Sequence, residues 1–296
     1  MVGLLNVLIV GILLGGIYAL VSVGLNLIFG VIRVVNFAQG EFVMLGMYGA
    51  FAAYTVLGVS PYVAVLLVVP ALFVLGAIVQ RLILSPLRAE PVMQIFATFG
   101  LLLLLQNIVL AITGGSALTV PSAVTMISLD AGPMHVGLVR IIILGAATVV
   151  AAALGAFLQR SMLGRAIRAV AQDSRAATLM GIDVQHIYMI SFGIGAGLAG
   201  LAGCLLSPLY SLSPQIGLDF ILPAFAVVVL GGLGSVRGAY IGGFIVGLTE
   251  AFAGFYLDPT LKHAVLFGVF IAVLVVRPSG LFGQVGAEEV GLRGQA

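Results

Sequence analysis

Charge is what this sequence has least of. Only 7% of its 296 residues are Asp, Glu, Lys or Arg, where a soluble domain carries about 25%. The deficit excludes a water-soluble globular fold. The 62% hydrophobic content and the mean hydropathy of +1.28 indicate an integral membrane protein instead. Cysteine is as scarce: Cys204 stands alone in an apolar run, so no intrachain disulfide can form, and it reads as a small helix-packing residue. Lysine occurs once, at Lys262, and no GxxxxGK[ST] stretch exists, so the chain has no ordinary means of cradling ATP phosphates. There is no HExxH and no cluster of Cys, His and carboxylates at metal-ligand spacing, so neither metal nor cofactor is expected. His135, His186 and His263 are scattered near the ends of apolar runs and read as interfacial residues. No nucleophile sits beside a base, so the chain is not read as an enzyme. A net charge of +2 gives no reason to expect a nucleic-acid partner. The first basic residue is Arg33, so the start lacks the positive region of a cleavable signal peptide, and none is expected.

What fills the chain is apolar runs near the roughly 20 residues a helix needs to cross a bilayer. They fall at 3–29, 41–59, 62–84, 92–113, 137–158, 188–208, 219–235, 238–257 and 262–277. None shows the alternation of an outer-membrane barrel strand. The expectation is an all-α polytopic bundle of about eight or nine transmembrane helices in lipid, one domain over 1–296. Orientation follows from Lys and Arg, which favour the cytoplasmic side. With the N-terminus outside, Arg33, Arg81, Arg88, Arg160, Arg165, Arg168, Arg175, Arg237, Arg277 and Arg293 fall inside, and only Arg140 and Lys262 outside. That arrangement predicts the N-terminus out and the C-terminus in. Residues 114–136 then form the longest outer loop, and 284–296 a loose cytoplasmic tail.

Glycine is abundant, with 40 residues. Gly11/Gly15, Gly193/Gly197, Gly238/Gly242 and Gly243/Gly247 stand at GxxxG spacing, which lets helices approach closely in lipid. Residues 36–53 also resemble 234–251, each a polar kink followed by a glycine and a Gly-rich apolar helix. Such repeats and broken helices occur in transporters near the transport path.

Against this background Gln159–His186 is anomalous, carrying Arg160, Arg165, Arg168 and Arg175. Residues 162–180 have helix-forming composition and no proline, and read as one amphipathic helix. Arg165, Arg168, Gln172 and Arg175 share one face. Leu163, Ile167, Val170 and Ala177 share the other. Gly181 is placed to cap it, and Asp183 to begin the next helix near Ile187. Three readings are open: a helix lying on the anionic inner leaflet, a solvated loop, or a helix that docks into a cytosolic partner. The residues alone favour the leaflet.

The stretch "GRAIRAVAQDSRAATLMGIDV" (Gly164–Val184) resembles the cytoplasmic loop of branched-chain amino acid ABC-transporter permeases of the LivH type. "GGIYALVSVGLNLIFGVIRVVNFAQGEFVMLGMYGAF" (Gly15–Phe51) and "GGLGSVRGAYIGGFIVGLTE" (Gly231–Glu250) resemble further blocks of that family, in order. The resemblance implies a permease of the bacterial inner membrane. It would work with two ATP-binding cassette subunits, a second homologous LivM-like permease and an extracytoplasmic substrate-binding protein. It also makes 159–187 a coupling loop seated in a groove of the ATPase, with Gly164, Arg165, Arg168, Asp173, Arg175 and Gly181 as its coupling residues. A docking lever must be stiff, narrow and polar on its outer face, which the helix formers, alanines and arginines supply.

Polar groups inside spans are costly and mark candidate path residues. These are Asn26, Asn36, Gln39, Glu41, Gln106 and Glu250. Gln106 with Asn107 reads more readily as interhelical hydrogen bonding. Glu250 either lines a path or pairs with Lys262. The "VNFAQGEF" kink and "LGGLGSVRG" (Leu230–Gly238) are each either a tight cytoplasmic turn or a break lining a cavity, with Pro223 favouring a broken or re-entrant helix before the second. The expected activity is import of branched-chain or related amino acids, or of urea and short amides. An ion-coupled transporter using Glu250 and a non-transporting interaction subunit are the rival classes. An apolar path would leave selectivity to the external binding protein.

Overall fold

The computed structural model describes residues 2–131, 134–257 and 261–283. The tail at 284–296 and Asp258 lie outside them. Among the described residues there are nine apolar helices: α1 (Val2–Ile32), α2 (Gln39–Leu57), α3 (Pro61–Val79), α4 (Pro91–Thr113), α5 (Leu138–Arg160), α8 (Val184–Leu206), α9 (Ile216–Gly231), α10 (Val236–Tyr256) and α11 (Lys262–Val276). Two short polar helices, α6 (Met162–Gln172) and α7 (Ser174–Leu179), join α5 to α8. Seven of the nine are long and apolar enough to cross a membrane, while α9 and α11 are shorter. The chain is therefore a multi-pass, all-α membrane protein.

The sequence punctuates these helices where the chemistry requires it. Gly58 and Gly114 end α2 and α4 at φ 66°, each donating its N–H back to the last turn (Tyr54 and Leu110). Pro61 and Pro91 open α3 and α4 at the position where a missing N–H costs nothing. α3 runs on as a π-helical turn, Gln80–Leu84. Gln94 of α4 satisfies one carbonyl there, donating to Leu84 at 2.9 Å. Three expectations are corrected. The span placed at 219–235 is the helix Ile216–Gly231. It is unbroken at Pro223 and about 24 Å long at 1.5 Å per residue, less than the roughly 30 Å of hydrocarbon. The 114–136 segment is not all loop: after a 3₁₀ turn it forms a hairpin of β1 (Ser128–Ala131) and β2 (Met134–Gly137), and Leu118 bridges to Leu212.

Burial sorts centre from periphery. α8 buries 16 of its 23 residues, whereas α5 buries only Val139, Ile143, Ala147 and Leu154. α3, α4 and α11 likewise present Leu66, Val74, Phe96, Leu103 and Val275 outward, as helices facing lipid do. The core is α1, α2, α8 and α10, and its contacts are backbone to backbone. The two GxxxG motifs of α1 and α10 pack on each other: a Cβ on Gly247 would lie 2.5 Å from the Cα of Gly15, and one on Gly243 2.7 Å from the Cα of Ala19. Gly193 approaches the Phe73 carbonyl of α3, and a Cβ on Gly46 would lie 2.8 Å from the Cα of Gly200. Cys204 is fully buried beside them, its Sγ 3.5 Å from the Gly46 carbonyl.

Lipid is as apolar as leucine, so such contacts hold the bundle by fit rather than by exclusion of water. Gly247→Ala is expected to lower stability by about 1–3 kcal/mol, the usual cost of overpacking. Gly254→Ala, on the same helix with open space around its Cβ position, is expected to be neutral or stabilising by up to about 1 kcal/mol. Thermal unfolding in detergent checks the contrast; equal effects would refute the packing account.

Candidate functional site

The polar segment is two helices rather than one. The chain leaves α6 at Asp173, which is extended (φ −150°, ψ 107°), and turns into α7. Asp173 belongs in that turn because its carboxylate accepts the N–H groups of Arg175 at 2.8 Å and Ala176 at 3.0 Å. The same bonds hold the Asp173 carboxyl below the usual carboxylate range. Its competing local hydrogen bond is what stops a continuous helix, a property composition alone does not weigh. Arg165, Arg168 and Gln172 therefore lie on α6, and Arg175 on a separate helix. Gly181 and Asp183 stand at the ends expected of them, with α8 starting at Val184 rather than near Ile187, and Ser161 adds a cap that the sequence reading missed. The Ser161 hydroxyl accepts the Gly164 N–H at 2.8 Å to begin α6. Gly181 closes α7 at φ 82°, and the Asp183 carboxylate accepts the His186 N–H at 3.1 Å to begin α8.

The apolar face of this unit is consumed by the protein. Ile167, Val170 and Ala177 are buried. Gly164 is required where α6 folds back on α5, because a Cβ there would lie 2.6 Å from the Cα of Leu158. Leu163 departs from the expected face and is exposed. Arg165, Arg168 and Arg175 are exposed as well. Met162, Leu179 (88% exposed) and Met180 (83% exposed) are exposed on the same unit. Leu179 and Met180 escaped the sequence reading. The signal was present, an apolar pair directly before the Gly181 cap on a polar segment. With Ile167 and Val170 turned inward, the apolar groups that α6 leaves exposed are at its start, Met162 and Leu163. The unit as a whole therefore exposes a few apolar side chains, Leu179 and Met180 foremost, together with its arginines.

Next to it lies the first break. α1 ends at Ile32, residues 33–38 are not helical, and α2 begins at Gln39. Asn36, Gln39 and Glu41 are fully buried, so this is not a solvated turn. The Asn36 side chain accepts the Ala38 N–H at 3.1 Å and donates to Gln39 Oε1 at 3.3 Å. Gln39 Nε2 donates to the Gly195 carbonyl of α8 at 3.3 Å. Thr98 of α4, which sequence reasoning missed, accepts the Phe37 N–H at 3.3 Å and lies 3.2 Å from the Val35 carbonyl. Gln106 donates to Glu41 Oε1 at 3.0 Å, an interhelical bond as expected, while Glu41 Oε2 has no partner among the described residues. Asn107 turns back to its own helix at Leu103.

The second break joins α9 to α10. Asn26 of α1 clamps it with both ends of its amide: Oδ1 accepts the Gly234 N–H at 2.7 Å and Nδ2 donates to the Ser235 carbonyl at 2.6 Å. Asn26 lies six residues before Ile32, about 9 Å along the helix, so the two breaks meet the same end of α1. Leu281 and Phe282 donate their N–H groups to the last carbonyls of α9, Leu230 and Gly231, at 2.9 and 3.0 Å. Glu250 stands apart. It is 7% exposed, accepts from the Tyr18 hydroxyl, and pairs with Lys262 at 3.0 Å. The sequence reading missed Tyr18, whose signal was a polar tip in mid-span. Among the described residues no three His, Cys, Asp or Glu are grouped to hold a metal.

The family described as "Branched-chain amino acid transport system / permease component" matches residues 7–274. The high-affinity branched-chain amino acid transport system permease protein BraD of Pseudomonas aeruginosa is 33% identical over 97% of this chain and 98% of its own. The corresponding LivH of Escherichia coli is 34% identical over 95% of this chain and 96% of its own. A probable LivH of Methanocaldococcus jannaschii is 30% identical over 92% and 90%. No solved structure matches the chain. With matches running almost end to end, the chain belongs to the branched-chain amino acid transport permease family.

Proposed function

We propose that this chain is the membrane subunit of an ATP-driven importer that delivers branched-chain or related amino acids to the cytoplasm. In this reading it works with ATP-binding cassette subunits, a second, LivM-like permease and an extracytoplasmic binding protein. The names of its relatives support the solute class. The observation that carries the mechanism is the α6–α7 surface. Its inner face is spent on packing, while the same short unit exposes Leu179 and Met180 as well as Arg165, Arg168 and Arg175. Apolar and basic groups exposed on one packed unit have the chemistry of a protein-docking surface with an acidic, grooved partner. Gly164 and Gly181 fit this unit by close approach and by φ, and Asp173 by capping.

The orientation in this reading is N-terminus out and C-terminus in, which puts α6, α7 and both breaks on the cytoplasmic side. The path runs on the side of the first break. There Glu41 offers a buried carboxylate oxygen without a partner among the described residues, next to Gln106. Asn36 and Gln39 hold that break in shape, while Asn26 and Glu250 spend their hydrogen bonds on packing. The ion-coupled alternative needs Glu250 to hold an ion, and both of its oxygens already have partners, Tyr18 and Lys262. A smooth path with few polar contacts releases its solute readily, which leaves selectivity to the binding protein. Leucine binding at micromolar strength to a permease complex lacking that protein would contradict this assignment.

Purification in mild detergent tests the assembly: an ATP-binding subunit and a related permease are expected to accompany the chain. Reversing charge at Arg165, Arg168 and Arg175 together (R165E/R168E/R175E) is expected to cut uptake at least tenfold, with the membrane part still folded by thermal unfolding. Intact uptake in that variant would end the docking reading. Leu179→Asp with Met180→Asp is expected to release the ATP-binding subunit during purification. Full retention would show that this apolar pair is not part of the contact.

A further inference from the structure

Arg33 is the one non-glycine residue with positive φ (60°) among the described residues. It sits where α1 ends, its N–H donating to the Phe29 carbonyl at 2.9 Å. This is the position just past a helix that favours glycine, because a Cβ is crowded in the left-handed conformation. The chain uses glycine for that purpose at Gly58, Gly114 and Gly181. At position 33 it accepts the strain of a side chain. Strained backbone of this kind persists where the surroundings over-determine it, and the side chain shows what the surroundings are. The guanidinium Nη2 donates to the carbonyl of Ala171 at 2.9 Å and lies 3.4 Å from that of Gln172.

Those two carbonyls are at the C-terminal end of α6. The last carbonyls of a helix lack partners within it and carry its partial negative charge, so a cation with several donors suits them. Beyond Arg33 the chain enters the break directly. Val35 and Phe37 meet Thr98 of α4, Gln39 meets Gly195 of α8, and Glu41 meets Gln106 of α4. α6 also packs on the bundle through Ile167, Val170 and Gly164, and the chain joins it to α5 at Ser161 and through α7 to α8.

We infer that Arg33 is a positioning residue that clasps the end of α6 to the break between α1 and α2, so that movement of the coupling unit reaches Gln39 and Glu41 directly. This rests on the docking reading above and adds a route to it. A push on α6 through α5 and α8 alone would act on whole helices. Through Arg33 it acts on a six-residue segment bonded to Thr98 of α4 and followed at once by Gln39, which is bonded to α8.

The test uses the full transporter with its ATP-binding subunits and binding protein in proteoliposomes, with radiolabelled leucine as probe. R33A and R33G are expected to keep the ATP-binding subunits and to hydrolyse ATP within twofold of the parent. Leucine taken up per ATP is expected to fall at least tenfold. R33K, which keeps a cationic donor, is expected to recover at least a third of the lost coupling. Should R33A not accumulate, R33G carries the same test, since glycine is unstrained at this φ. Uptake per ATP within twofold of the parent in R33G, or no recovery in R33K, would overturn the inference. If R165E/R168E/R175E transports normally, the docking reading falls first. If that variant is uncoupled while R33G is not, only the role of Arg33 falls.

Discussion

The fold depends on backbones being able to touch. In hydrocarbon there is no gain from hiding leucine, so helices stay together only where they come close enough for many weak contacts and for small polar groups to meet. At the crossing of α1 and α10, Gly11, Gly15, Gly243 and Gly247 remove the side chains that would keep the helices apart. The same device seats α8 against α2 and α3. This close central packing brings α1, α2, α8 and α10 together, and it places both chain breaks at one end of α1. If the α1–α10 crossing were wider, Asn26 could not span to Gly234 and Ser235.

The breaks show how non-helical backbone survives at the edge of such a core. Each unpaired peptide group must find a partner within the protein. In the first break the partners are side chains: Asn36 and Thr98 serve Ala38 and Phe37, and Gln39 reaches α8. In the second a single amide, Asn26, supplies both a donor and an acceptor, and residues 281 and 282 complete α9. The polar residues singled out as path candidates thus divide by their bonds. Asn26, Asn36 and Gln39 are committed to backbone shape. Glu41 and Gln106 meet each other and, among the described residues, leave one buried oxygen over.

Helix count and the glycine seams were legible in the sequence because hydropathy and GxxxG spacing are local, additive signals. The apolar runs at 3–29 and 188–208 correspond to α1 and α8, and the paired glycines do pack. What was not legible depended on competition or on distance. Asp173 could have sat inside a helix, and its preference for capping Ser174–Leu179 decided otherwise. Pro223 suggested a break, yet α9 continues through it. Arg33 read as one more inner-side charge, because nothing local says that its guanidinium meets Ala171, 138 residues on. Leu179 and Met180 looked like ordinary apolar residues until the burial of Ile167 and Val170 showed which face was already taken.

The lever proposed for α6 and α7, made of two short helices, raises its own physical problem. Isolated helices shorter than about 12 residues are marginal in water, and α6 and α7 have 11 and 6. Their rigidity must come from their ends and from the face they bury. Ser161 and Asp173 supply N-terminal caps, Gly181 the C-terminal one, and Arg33 completes the end of α6. Ile167, Val170 and Ala177 fasten the unit to the bundle. In the proposed docking role the capping residues would stiffen the lever and leave the exposed arginines with Leu179 and Met180 to be gripped. A force applied there would be carried by hydrogen-bonded ends rather than by a long helix, and the break beyond Arg33 lies at one of those ends.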